Sequence, residues 1–155
     1  MLSGRAPAPD RARSAPQVAA VATQRRKVLI ARIVADYAEA HDPAREAAWI
    51  GEVGGRRVGC VFCVADPAAT DVARLRILLV TPSGRGHRLG ARLVDECLCF
   101  AKAAGYARIR LWTNHPLAAA RKIYLSRDFA LTAELPHHSF GVELVGQTYE
   151  LALSG

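Results

Sequence analysis

What this chain lacks narrows it first. Although 51% of its 155 residues are apolar, no stretch approaches the ~18 consecutive apolar residues of a membrane-spanning helix. Cysteine is scarce: Cys60, Cys63, Cys97 and Cys99 are the whole set. On a strand, positions 60 and 63 face opposite sides. On a helix, positions 97 and 99 point about 200° apart at ~100° per residue. Neither pair chelates, so no metal is expected, and the set reads as four reduced, mostly buried thiols in a reducing cytoplasm. No internal repeat is present. Acidic residues are nearly missing from positions 1–27, where Asp10 stands against Arg5, Arg11, Arg13, Arg25, Arg26 and Lys27. That segment carries +5 of a net +7, leaving 7 − 5 = +2 for the rest. The remainder is therefore no strongly basic nucleic-acid binder.

Residues 1–27, rich in Ala, Pro, Arg and Ser, read as a disordered tail. Residues 28–155 have the length of one domain with a sizeable core. Val28 to Ala40 has helical periodicity and ends at His41-Asp42-Pro43. Glu46 to Val53 and Arg56 to Val64 read as strands around a Gly54-Gly55 hairpin turn. Arg74 to Val80 is an apolar strand stopped by Thr81-Pro82. Ser83 to Gly90 is a loop holding Gly84, Gly86 and Gly90 with Arg85 and Arg88. From Leu89, a stripe of Leu93, Val94, Cys97, Leu98, Ala101 and Ala104 marks a helix that Gly105 closes. Ala107 to Thr113 is a strand and Leu117 to Arg127 a helix. Phe129 to Pro136 and Gln147 to Leu153 are strands joined by a long hairpin loop that begins at His137. The order predicts an α/β fold, a mixed sheet with helices on its faces.

The stretch from Arg74 to Gly105 organises the rest. A strand, a Gly/Arg loop and a helix N-terminus aim free N–H groups and the positive end of a dipole at one spot. Such a spot suits a phosphate or pyrophosphate, and Arg85 and Arg88 add charged donors. No Gly-Lys-Ser/Thr follows, so the loop is not a Walker A motif. The spacing Gly84-x-Gly86-x-x-x-Gly90 is not the Rossmann fingerprint either.

The loop Arg85-Gly86-His87-Arg88-Leu89-Gly90 resembles the acetyl-CoA loop of the GNAT-superfamily N-acetyltransferases, with Arg88 in place of a middle glycine. Leu111-Trp112-Thr113-Asn114 followed by Ala118, Ala120, Ile123, Tyr124 and Phe129 resembles a second block of that superfamily, with Asp128 in place of a glycine. A third block, Pro136 to Gly141 and Leu144 to Leu151, is similar to the acetyltransferase half of bacterial proteins that fuse a MarR-type regulator to a GNAT domain. No helix-turn-helix segment fits into the 27 polar residues before it.

This resemblance implies a GNAT-like fold whose usual first strand is missing here or hidden in the tail. It implies acetyl transfer from acetyl-CoA to an amine, small molecule or protein, by direct attack in a ternary complex. Backbone groups of Leu78, Leu79 and Val80 would dock the pantetheine arm. Arg85, Gly86, His87, Arg88, Leu89, Gly90 and Ala91 would hold the pyrophosphate, and Asn114 would touch the pantetheine or orient the strand end. Tyr124 would be the general acid. Glu134, His137, His138 and Glu143 lie near the acceptor side, and the base stays open among them and water. A homodimer is common in the family. The rival reading is a non-catalytic module of the same fold, a CoA sensor or the remnant of a fusion.

Overall fold

The computed structural model describes residues 31–114, 118–139 and 142–153. The expected tail, and any strand within it, lie outside these. A helix, α1 (residues 31–40), leads into six strands and two further helices. They are β1 (Ala47–Val53), β2 (Arg56–Ala65), β3 (Val72–Val80), α2 (Leu89–Ala103), β4 (Arg108–Asn114), α3 (Ala118–Ser126), β5 (Ala130–Ser139) and β6 (Val142–Ala152). The strands form one sheet in the order β1-β2-β3-β4-β6-β5. Its pairs are antiparallel except β3 with β4, which α2 connects as a crossover.

The sheet is covered on both faces. On one, α2 buries Leu89, Leu93, Val94, Cys97 and Ala101 against Val61, Cys63, Ala73 and Leu75. Tyr124 of α3 packs beside Tyr149 of β6 and Phe129. On the other face Tyr37 of α1 sets its ring edge-on to Phe62 of β2 at 5.2 Å. The alternation expected in β4 holds: Ile109, Leu111 and Thr113 are buried, whereas Trp112 stays exposed on the opposite face.

The last hairpin departs from expectation. No long loop follows Pro136; β5 runs on to Ser139 and β6 begins at Val142. Pro136 pairs with Val145 within the ladder. It is tolerated because β5 is an edge strand, where a missing N–H costs no ladder bond. The cysteines also pair differently. Two of the four are buried, Cys63 and Cys97. They meet across the β2–α2 interface, where hydrogen bonding to Cys63 and burial push the Cys97 thiol up, away from thiolate.

Candidate functional site

β3 and β4 part company. They pair only at Val72–Arg108, Ala73–Ile109 and Arg74–Arg110, although β3 continues to Val80 and β4 to Asn114. The cause is a bulge. Against β2, Arg76 faces Phe62 but Leu79 faces Cys60, so Ile77 and Leu78 share the place opposite Val61. Ile77 has φ 53°, a region that β-branched residues rarely enter. The Cys60 thiol donates to the Ile77 carbonyl at 3.8 Å. A bulge bends its strand and sharpens its twist, so the two strands splay beyond Arg74. From Leu75 to Val80 one edge of β3 pairs with β2 while the other faces a gap. An unpaired strand edge is a template for an extended, amide-bearing ligand.

The gap opens toward the glycine loop. A 3₁₀ turn (Pro82–Gly84) follows β3. A Cβ on Gly84 would come within 2.8 Å of the Val58 Cβ, so only glycine lets the loop lie this close to β2. Gly86 and Arg88 both have positive φ, 86° and 53°. Arg88 is the N-cap of α2 and provides no side-chain cap. The first helical bond of α2 is Arg92 N–H to Arg88 O, 3.0 Å. The amides from Gly86 through Ala91 therefore have no backbone acceptor among the described residues. They converge at the positive end of a 15-residue helix, which is the arrangement for binding an anion. The side chains of Arg85, His87 and Arg88 are exposed around it.

Leu89 and Gly90 divide their duties. The Leu89 side chain turns into the core, where a Cβ at Gly51 or Gly59 would lie 2.6 and 3.0 Å from it; only its amide serves the loop. Gly90 also sets helix packing, since a Cβ there would reach 3.0 Å from Ile123 Cδ1 of α3.

Tyr124 is buried, and burial, with Cys97 adding to it, pushes its pKa up to about 12. Its hydroxyl bonds to no described residue. Nor is it sealed away unsatisfied: among the described residues no buried side-chain oxygen or nitrogen lacks a partner. Asn114, the last residue of β4, accepts from His137 Nε2 at 3.2 Å. This leaves the lone pair of that imidazole on Nδ1. On the opposite face Tyr149 donates to Gln147 Oε1 at 2.8 Å, and Gln147 Nε2 donates to Glu134 Oε1 at 2.7 Å. The candidate bases divide between the two faces: Glu134 lies across the sheet, whereas His137, which stands with Asn114, shares with His138 and Glu143 a cavity of about 460 Å³ at the hairpin.

Three features of this site escape sequence reasoning. The Ile77 bulge has no signal, since isoleucine is an ordinary strand residue. Trp112 lies against Gly146, where a Cβ would be 2.7 Å from its indole nitrogen; only that glycine hints at it. Gln147, 1% exposed, is a lone polar residue on an inward position, a signal that was available.

The model of the acetyltransferase (GNAT) family matches residues 17–129. The chain belongs to this family. Among curated relatives of this GNAT chain, the mycothiol acetyltransferase of Thermobifida fusca is 37% identical over 75 residues, 48% of this chain and 21% of that protein. An uncharacterised N-acetyltransferase of Archaeoglobus fulgidus is 27% identical over 88 residues, 54% of this chain and 60% of that one. The chain thus spans less than two thirds of either relative. Among solved structures, an N-acetyltransferase from Staphylococcus aureus Mu50 superposes with a TM-score of 0.65 at 24% identity, covering 70% of this chain and 68% of that one. The yncA protein of Salmonella typhimurium, solved with its cofactor acetyl-CoA, gives 0.64 at 20% identity, covering 72% and 67%. These likenesses establish the GNAT fold. No described helix is long and apolar enough to cross a membrane.

Proposed function

We propose that this GNAT domain transfers an acetyl group from acetyl-CoA to a primary amine by direct attack within a ternary complex. The observation that carries this is the gap between β3 and β4, open beyond Arg74–Arg110 and leading to the unpaired amides of Gly86–Ala91. The residues present fit the cosubstrate. The free edge of Leu78, Leu79 and Val80 offers N–H and C=O groups to pantetheine amides as an added strand would. The loop amides, with Arg85 and Arg88, offer donors to a diphosphate.

Bound there, acetyl-CoA supplies an activated acyl carbon: the N–C bond forms as the C–S bond breaks, leaving a thiolate. Tyr124 then gives its proton to that sulfur. Its raised pKa of about 12 keeps it protonated throughout the neutral range, as a general acid must be. The attacking ammonium gives up two protons in all, one before attack and one after: one restores the Tyr124 hydroxyl and the other leaves to solvent. Holding both reactants in line replaces a bimolecular encounter, and no acyl-enzyme is required. Arg88 and Asp128 do not argue for a dead remnant, because both keep the positive φ that a glycine would adopt, 53° and 65°.

The test is thermal unfolding with acetyl-CoA, followed by assay of free CoA thiol with an amine library. A rise in Tm with thiol release supports the transferase. A rise without release in any amine moves the reading to a CoA-binding module. No rise removes both.

A further inference from the structure

On the α1 face of the sheet lies a second cavity, of about 510 Å³, within the range of small-molecule sites. Its floor is β3 and its roof is α1. Ile33, Tyr37 and Val64 give it apolar walls, and Arg74 and Arg76 both project into it. Two residues apart on one strand, these arginines share a face about 7 Å from each other. Their position matters. Arg74 is the last β3 residue paired with β4, and Arg76 immediately precedes the Ile77 bulge. Both are rooted where the strands diverge, on the side away from the glycine loop.

Among the described residues the two guanidiniums have no ion-pair partner, unlike their neighbour. Arg110, next to Arg74 across the ladder, holds Glu150 at 2.6 Å and Asp66 at 3.6 Å. Neither Arg74 nor Arg76 forms an ion pair within 4.0 Å among the described residues. Of the carboxylates lining the cavity, Glu46 is already engaged: its two oxygens accept from the amides of Asp42 at 3.1 Å and Ala65 at 3.0 Å. Asp36 and Glu39, on α1, complete the set. Burial, and then the like charge of Arg74, lower the Arg76 pKa, with Asp36 opposing. A partly buried cation without a contacting anion is costly, and an incoming anion relieves that cost. Three carboxylates against two guanidiniums also disfavour a ligand with large negative charge.

We infer that this cavity is the acceptor pocket and that it selects small zwitterionic amines, whose carboxylate or phosphoryl group is bound by Arg74 and Arg76 while the amine points to the gap at Ile77. The inference rests on the transferase reading above, and its test separates the two. Wild-type protein, Arg76→Gln, Arg74→Gln and Arg76→Lys are assayed with acetyl-CoA and matched acceptors. One pair is an amino acid against its amide, the other an aminoalkyl phosphate against its amino alcohol. The expected result is at least a tenfold higher kcat/KM for the anionic member of one pair, and which pair shows it distinguishes carboxylate from phosphoryl. In Arg76→Gln the ratio falls toward one through KM, and Arg76→Lys restores part of it. Thiol release with equal rates in both pairs, or a ratio that survives both glutamine variants, overturns the inference while leaving the transferase standing. Without any turnover, the transferase reading fails and binding of an N-acetylamino acid against its amide is measured by thermal shift. Preference for the acid, lost in Arg76→Gln, supports the anion pocket; equal or absent binding overturns it.

Discussion

Arg88 and Asp128 stand in backbone conformations made for glycine. An L-residue held at positive φ costs about 1–2 kcal/mol, somewhat less for Asp, against the ~0.5–1 kcal/mol entropy that glycine loses on folding. Asp128→Gly is therefore expected to stabilise the chain by up to about 1 kcal/mol, seen as a higher urea midpoint at unchanged slope. Arg88 is different because the proposed diphosphate site gives its charge a use. Arg88→Ala should weaken acetyl-CoA binding several-fold at low salt and less at high salt, since exposed charges are screened; equal affinities at both would remove its role at the diphosphate. Tyr124 makes a pH prediction. Its pKa is raised from 10.0 to about 12, so the folded state keeps its proton where the unfolded chain loses it. Stability is full below pH 10 and falls by about 2–3 kcal/mol as pH rises to 12. Tyr124→Phe should lose that part of the alkaline decline, as well as most of the turnover. At this scale the sequence carries expectations where side-chain type suggests chemistry, as at Arg85, Gly86 and Tyr124, and the structure adds the positive φ of Gly86 and the burial of Tyr124. It was silent on Ile77, because a bulge arises from the register of two strands and not from the residue that occupies it.

The elements that matter most are β3, the glycine loop and the start of α2. The gap beside β3 predicts a pattern of hydrogen exchange. Gap-facing amides between Leu75 and Val80, and those from Gly86 to Ala91, should exchange readily in the free protein and slow when acetyl-CoA is added, while β5–β6 barely changes. Protection appearing mainly in β5–β6 would count against docking along β3. Strands and helices were legible because their periodicity is local: the α2 stripe and the β4 alternation appear in the structure as read. The hairpin departs from its expected loop because Pro136 and the histidines resemble loop chemistry. Only knowing that β5 lies at the sheet's edge reconciles them with a strand, and edge position is not local information. The Cys63–Cys97 contact was invisible for the same reason, as it joins residues from two elements.

For the whole molecule, element order alone carried the mixed sheet, and the placement of α1 over the opposite face to α2 roofs the cavity that Arg74 and Arg76 enter. A ligand that bridges β3 and α2 should stabilise the entire domain. At a hundred times its Kd, acetyl-CoA should add about 2.7 kcal/mol, which for a chain of this size raises Tm by roughly 5–11 °C. A shift confined to one part of a biphasic melt would show instead that the N-terminal elements unfold separately. Leu89, whose amide belongs to the loop and whose side chain fills the space that Gly51 and Gly59 leave, has a consequence for anyone redesigning this scaffold. It works as a rivet between the glycine loop and the β1–β2 side of the sheet. Enlarging position 51 or 59 would thus be felt first as a displaced glycine loop and a slackened hold at the proposed diphosphate site, well before the protein ceased to assemble.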